Sequence, residues 1–166
     1  MLNRWRGRIA GLAILAALGP LTLTAAAAHA DPILVVRGPD DRVLAELPLP
    51  DHTFTLRYRN SLYRSLAEER YVVASTGRIE LVGLAADELA VLEEYYAIDR
   101  PAWRADGGVA RTWRADPARE VSIETLIVAG TDLGQRTLMV DGSAPLALWR
   151  LVSDRSPSVE LDVSQP

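Results

Sequence analysis

The chain contains no cysteine and no lysine, and its only histidines are His29 and His52. Without cysteine there can be no disulfide framework, no thiol catalysis and no cysteine-ligated zinc, so hydrophobic burial must stabilise the fold. Beyond residue 30, His52 is the one candidate base for a Ser-His-Asp site, and one histidine is too few for an ordinary zinc or copper site. The sequence therefore predicts no metal and no other cofactor.

Recognisable catalytic motifs are missing as well. No Gly-x-Ser-x-Gly elbow presents a serine, no P-loop occurs, and His52 is predicted to be a solvated turn residue. Pairs of carboxylates are the remaining catalytic possibility, and the chain has the doublets Glu68-Glu69 and Glu93-Glu94. Neighbours in a strand face opposite sides, so neither doublet by itself forms an acid pair across a cleft. Acids from different strands keep a carboxylate-dependent hydrolase open as an alternative.

The first thirty residues have no acidic side chain. Three arginines precede an apolar run from Ile9 to Ala28, and the small-residue triplet Ala28-His29-Ala30 follows it. This order predicts a signal peptide over residues 1–30 that is cleaved before Asp31, and hence an extracytoplasmic protein, periplasmic or secreted. The run approaches the roughly 20 residues that span a bilayer, so the alternative is a retained membrane anchor.

Acidic residues dominate the rest of the chain. All 22 lie after Ala30, where 15 of the 18 arginines remain, which leaves a formal charge of −7. Such an excess of negative charge argues against nucleic acid as a partner. The 136 residues that follow the leader suit one domain, residues 31–166. Every positive charge is a guanidinium, a group that binds carboxylates and phosphates bidentately.

Turn-forming residues separate short apolar stretches at intervals of about ten residues, which is typical of an antiparallel sandwich or barrel. The sequence predicts an all-β domain of nine to ten short strands with at most one short helix, for which residues 85–98 have the spacing. Hairpins are predicted at Gly107-Gly108, between two Trp-Arg-Ala-Asp repeats, and at Asp141-Gly142, as a type I′ turn. The predicted strands are 33–37, 42–47, 53–59, 69–74, 78–84, 121–128, 136–140, 146–152 and 159–163.

Arginine and tyrosine are concentrated between residues 57 and 70. Guanidinium groups bind a carboxylate through paired hydrogen bonds, and hydroxyl or amide groups orient it. The alternative is that these arginines form the wet face of a strand and pair with nearby acids at little net gain. The candidate ligand-binding residues are Arg57, Arg59, Asn60, Ser61, Arg64 and Glu69.

The segment from Phe54 to Glu69, preceded by Leu47-Pro48-Leu49-Pro50, resembles the bacterial family catalogued as domain of unknown function 1850. That family's pattern is an aromatic-led strand, then His-Ser-Val, then a polar step ending in glutamate. Ser61 matches the serine and Glu69 the glutamate. The departures are Asn60 for histidine, Leu62 for valine, Leu66 for proline, and Gln135-Arg136 where a second histidine is expected.

The resemblance covers about Leu44 to Leu151. It implies a small exported or membrane-tethered protein that is encoded beside a TRAP-type or TAXI-type transporter for carboxylated solutes, in a family with no established activity. We therefore expect a non-enzymatic accessory protein whose partner is a small carboxylate or a transporter component. The alternatives are a carboxylate-dependent hydrolase and a purely structural envelope domain. Membrane contact is expected only through the leader, if it is not cleaved.

Overall fold

The computed structural model of the protein describes residues 31–105 and 111–165. The predicted leader and the Gly107-Gly108 turn lie outside these residues. Within them, no helix has the length and apolar character needed to cross a membrane.

In the described part of the chain, twelve antiparallel strands account for most of the regular structure. They are β1 (Ile33–Arg37), β2 (Val43–Pro48), β3 (Thr53–Arg59), β4 (Leu66–Val73), β5 (Ile79–Ala86), β6 (Trp103–Arg104), β7 (Trp113–Ala115), β8 (Ser122–Ile123), β9 (Leu126–Ala129), β10 (Thr137–Met139), β11 (Leu146–Ala147) and β12 (Ser158–Ser164). A π-helical turn spans Val91–Tyr95 and a 3₁₀ turn spans Leu148–Arg150.

The strands form a sandwich of two sheets. One sheet has four strands in the order β2-β1-β12-β9, and the other has eight, in the order β11-β10-β3-β4-β5-β7-β6 with β8 paired to β5. The predicted alternation of β3 is confirmed, because Phe54, Leu56 and Tyr58 are buried on one face while the residues between them are more exposed. The all-β sandwich predicted from the sequence is therefore the observed architecture.

The main core lies between the two sheets. Leu34 and Val36 from β1 and Leu161 from β12 are fully buried, and they share one hydrophobic cluster with Phe54. The Phe54 ring stacks on Tyr71 with 5.0 Å between ring centroids. Burial of such side chains stabilises the fold without any covalent crosslink, since each contributes about 1.5–3 kcal/mol of transfer free energy.

A second hydrophobic cluster lies at the other end of the larger sheet. There the π-helical turn covers the inner face, and its Val91 and Leu92 are fully buried against Leu84 and Ala86 of β5. The short helix predicted from the apolar spacing over residues 85–98 is thus a single π-helical turn. β5 continues to Ala86 because it pairs with β7, which keeps the first part of that window extended.

The structure has more strands than the nine to ten predicted, and two of the predicted strands have different bounds. The predicted strand 121–128 divides into β8 and β9 because β8 pairs with β5 in one sheet and β9 pairs with β12 in the other. The predicted strand 146–152 ends at Ala147 and continues as the 3₁₀ turn.

The strands on either side of both predicted hairpin turns pair, but one predicted turn type was wrong. Trp103 pairs with Arg114 and Arg104 with Trp113, which confirms the antiparallel pairing predicted for the two Trp-Arg-Ala-Asp repeats. At Asp141-Gly142 only the glycine has a positive φ, of 78°, and the Ser143 N–H donates to the Val140 carbonyl at 3.1 Å. A type I′ turn needs positive φ at both central residues, so this turn is of type II.

Candidate functional site

The β3–β4 loop, residues 60–65, is organised by Asn60. This side chain is only 4% exposed, and its Oδ1 accepts the N–H groups of Leu62 at 3.0 Å and Tyr63 at 3.1 Å. Its backbone N–H donates to the Ser65 carbonyl at 2.9 Å, and its carbonyl accepts the Arg64 N–H at 2.8 Å. The closed loop holds Arg64 at a φ of 54°, a conformation that a non-glycine residue adopts at an energetic cost.

A second loop, which joins β9 to β10, lies beside the first. The Arg59 N–H donates to the Gly134 carbonyl at 2.7 Å, so the end of β3 is bonded directly to this loop. Within the loop, the Gln135 N–H donates to the Thr131 carbonyl at 2.9 Å and the Gly134 N–H to the Thr131 hydroxyl at 3.3 Å. These bonds place Asp132 and Leu133 next to the β3–β4 loop.

Together the two loops enclose an open cavity of about 400 Å³, here called the loop depression. It brings together four of the six residues that the sequence predicts to bind a ligand. Its lining residues are Arg59, Asn60, Ser61, Arg64, Asp132 and Leu133. A smaller adjoining cavity of about 120 Å³ shares Arg59, Asn60, Ser61 and Leu133 and continues to Tyr58, Tyr95, Thr131, Gly134 and Arg136.

The charge of the loop depression is positive. Arg59 and Arg64 are exposed and form no ion pair within residues 31–105 and 111–165, and Asp132 is the one acid among the lining residues. Next to them, the Arg136 guanidinium lies 5.2 Å from the centre of the Tyr58 ring and donates to the Ala129 carbonyl at 3.1 Å. The Arg59 Nε donates to the Arg64 carbonyl at 3.3 Å. Guanidinium groups around one opening can bind a carboxylate or a phosphate.

The other two predicted residues, Arg57 and Glu69, lie away from the depression and on opposite faces of the larger sheet. Arg57 is on the outer face, where its Nε donates to Glu68 Oε1 at 2.8 Å. Glu69 faces inward, where it accepts hydrogen bonds from the hydroxyls of Tyr71 and Tyr96. The doublet Glu68-Glu69 is therefore split between the two faces, as its position in a strand predicts.

Glu69 is the centre of a network of tyrosine hydroxyls. Its Oε1 accepts from Tyr96 at 2.6 Å and its Oε2 from Tyr71 at 3.0 Å, while the hydroxyls of Tyr58 and Tyr96 lie 2.6 Å apart. Burial raises the pKa of each of these three tyrosines above the ordinary value of 10.0, and the Glu69 charge raises it further. All three hydroxyls therefore stay protonated. Tyr71 and Tyr96 donate to the Glu69 carboxylate, which would be costly to leave unpaired, and Tyr58 bonds to Tyr96.

His52 and the acidic residues offer no metal site in the part of the chain that the structure describes, since no group of three or more His, Asp or Glu side chains converges there. His52 itself is exposed in the β2–β3 turn at a φ of 54°, and its N–H donates to the Leu49 carbonyl at 3.0 Å. The prediction of a solvated turn residue is confirmed.

Sequence reasoning did not select Asp132, Leu133 or Arg136. No local pattern distinguishes these residues, because their position depends on the pairing of β10 with β3, which aligns Thr137 with Arg57. The turn-forming residues from Thr131 to Gly134 do predict a loop at this point of the chain. They do not predict that this loop lies beside the β3–β4 loop.

Comparisons of the chain with protein-family models, with curated proteins and with solved structures found no match. The resemblance to the 1850 family therefore stays a prediction.

Proposed function

We propose that the protein binds a small organic anion of the carboxylate class in the loop depression, as a non-enzymatic accessory protein outside the cytoplasm. The observation that carries the proposal is that Arg59 and Arg64, two exposed arginines on one preorganised opening, have no ionic partner among the residues that the structure describes. The Ser61 side chain lies at the same opening and supplies a polar group for orientation, and the Asn60 side chain holds the loop that carries it.

Preorganisation is the second support. The Asn60 hydrogen bonds hold the loop in its conformation, and the Arg59 N–H joins it to the facing loop, so little ordering remains to oppose binding. The single acid, Asp132, leaves the lining with an excess of positive charge in a chain that is negative overall. A net-negative protein with one local cationic opening concentrates anion binding at that opening.

Thermal unfolding in low salt, with and without pyruvate, succinate, malate or benzoate, tests the proposal. A ligand that binds only the native state at a hundredfold excess over its dissociation constant stabilises the fold by about 2.7 kcal/mol, and Tm rises by several degrees. We expect at least one carboxylate to raise Tm and the double variant Arg59→Gln/Arg64→Gln to abolish the rise.

The matched control is Arg119→Gln, which removes an exposed arginine that is not part of the depression. It is expected to keep the full ligand-induced rise in Tm. If no carboxylate raises Tm, a purely structural envelope domain is the better interpretation. If the protein converts one of these compounds or hydrolyses a glycoside or ester, the non-enzymatic assignment is wrong.

Association with a TRAP-type transporter is the second part of the proposal, and the family resemblance alone supports it. A deletion strain should take up the bound carboxylate more slowly than its parent. Complementation with the wild-type gene should restore uptake, whereas the Arg59→Gln/Arg64→Gln gene should not. Normal uptake in the deletion strain would contradict a transport role and leave the binding site itself untouched.

A further inference from the structure

A second opening lies on the outer face of the larger sheet, away from the loop depression. The strand register aligns one residue from each of five neighbouring strands there: Arg57, Glu68, Ala85, Arg114 and Trp103. The last four of these line a groove of about 410 Å³, here called the outer groove. Its lining also includes Thr55, Arg70, Val82, Gly83, Leu84, Ala115 and Asp116.

Small residues of β5 form the floor of the outer groove. Gly83 and Ala85 lie between larger side chains on β4 and β7, so the middle of the sheet face is lower than its sides. Gly83 is not required by its backbone, because its φ is outside the left-handed region, and an added Cβ would meet only the Arg70 Cβ, at 3.8 Å. A glycine inside a strand weakens the sheet and often marks the close approach of a ligand.

A β-bulge adjoins this floor. Arg70 pairs with Gly83 and Tyr71 with Leu81, which leaves Val82 as the extra residue of β5. Val82 is exposed and lines the outer groove, as expected of a bulge that redirects a side chain. The apolar surface that it offers lies in the same groove as the Trp103 ring, which is 47% exposed.

The charges of the outer groove balance, unlike those of the loop depression. Two acids, Glu68 and Asp116, face two arginines, Arg70 and Arg114, among the lining residues. An ionic ligand gains no net attraction from such a lining, whereas a neutral ligand with hydroxyl groups finds both acceptors and donors.

Glu68 is held in place for that role. Its Oε1 accepts a hydrogen bond from Arg57 Nε at 2.8 Å and forms a longer ion pair with Arg111, whose Nε is 3.9 Å away. Its Oε2 accepts no hydrogen bond from the described residues. The side chain is 16% exposed, so a hydroxyl that reached Oε2 would replace little bound water. A fixed, partly buried acceptor provides orientation at a low entropic cost.

We propose that the outer groove is a binding site for a neutral carbohydrate. The C–H face of a sugar ring packs on Trp103 and Val82, with Gly83 and Ala85 allowing close approach, and the hydroxyls bond to Glu68 Oε2 and the flanking arginines. A flat molecule with one apolar face and polar edges matches an amphipathic indole beside paired charges. The outer groove is independent of the loop depression, so this binding activity does not rest on the proposed anion binding.

The test is titration of the full chain with maltotriose, cellotriose and the neutral N,N′,N″-triacetylchitotriose, monitored by tryptophan fluorescence and by isothermal calorimetry. We expect at least one trisaccharide to bind and to change the tryptophan emission. Trp103→Ala should weaken that binding by about tenfold, the loss of one ring-stacking contact. Gly83→Leu should weaken it at least as much by filling the groove, without backbone strain.

Two variants serve as controls for these results. Ile127→Ala removes an exposed apolar side chain from the four-stranded sheet, and Arg59→Gln/Arg64→Gln alters the loop depression. Both should bind the trisaccharide with unchanged affinity, and far-UV circular dichroism should be the same for all variants. Absence of heat and of a fluorescence change with all three trisaccharides at about 10 mM, or equal affinity in Trp103→Ala, would overturn the proposal. Binding of triglycine in preference to the sugars would also overturn it.

Discussion

At the scale of single residues, Asn60 and Glu69 already have hydrogen-bond partners within the protein before any ligand is considered. Asn60 serves the backbone of its own loop, and Glu69 receives two tyrosine hydroxyls. Both residues belong to the segment that the sequence selects for ligand binding. Their structural roles mean that a loss of binding after substitution must be separated from a loss of stability.

Substitutions at Asn60 make that separation. Asn60→Ala leaves the Leu62 and Tyr63 N–H groups without their acceptor and should lower the free energy of unfolding by about 1–3 kcal/mol, as measured by urea denaturation. Asn60→Asp keeps the acceptor and should cost less stability, yet its negative charge should weaken carboxylate binding in the loop depression. Equal stability of the alanine variant and the wild type would contradict the role assigned to this side chain.

At the scale of elements, close contacts between a strand and a turn determine where glycine is needed. Gly130 follows β9 and lies against the 3₁₀ turn: an added Cβ would be 2.9 Å from Val152 Cγ2 and 3.2 Å from the Leu148 carbonyl oxygen. Gly134, four residues later, has no such constraint, because its nearest neighbours would be side-chain atoms at 3.5 Å. The two glycines are therefore a matched pair for the effect of steric contact.

Gly130→Ala is expected to destabilise the protein by about 1–3 kcal/mol, since the Leu148 backbone cannot move aside as a side chain can. Gly134→Ala, with ordinary van der Waals contacts and no positive φ, should change the free energy of unfolding by less than about 0.5 kcal/mol. Urea denaturation of both variants checks the comparison. A larger loss in Gly134→Ala than in Gly130→Ala would contradict it.

At the scale of the whole molecule, the missing residue types simplify its response to pH. The chain has no lysine and no cysteine, so tyrosines are the side chains that titrate between about pH 9 and 12. Tyr58, Tyr71 and Tyr96 have raised pKa values in the folded state because they are buried. The unfolded chain loses these protons near pH 10, and the folded chain keeps them.

Stability is therefore expected to be constant up to about pH 9.5 and to fall above pH 10, by about 1.4 kcal/mol per pH unit for each of the three tyrosines. Urea midpoints measured from pH 8 to 11.5 check this slope. Tyr96→Phe should lower the slope by about one third, because one tyrosine no longer releases a proton on unfolding. Tyrosinate absorbance that develops fully before the protein unfolds would contradict the account.

The sequence by itself determined the class of fold and the facing of individual strands. The period-two alternation of Thr53–Arg59 is local, and it correctly predicts which residues of β3 are buried. The same rule predicts that Glu68 and Glu69 lie on opposite faces, and the absence of cysteine excludes disulfides from the composition alone. Four of the predicted binding residues line the loop depression together because they are close in the chain: Arg59, Asn60, Ser61 and Arg64.

Only the tertiary structure decided which distant residues share a site. Tyr96 reaches Glu69 from 27 residues further along the chain, and Trp103 is aligned with Glu68 through three intervening strand pairings. Likewise, Arg136 lies beside Tyr58 because β10 pairs with β3. Strand order and register depend on long-range pairing, which a local pattern of apolar and polar residues does not specify.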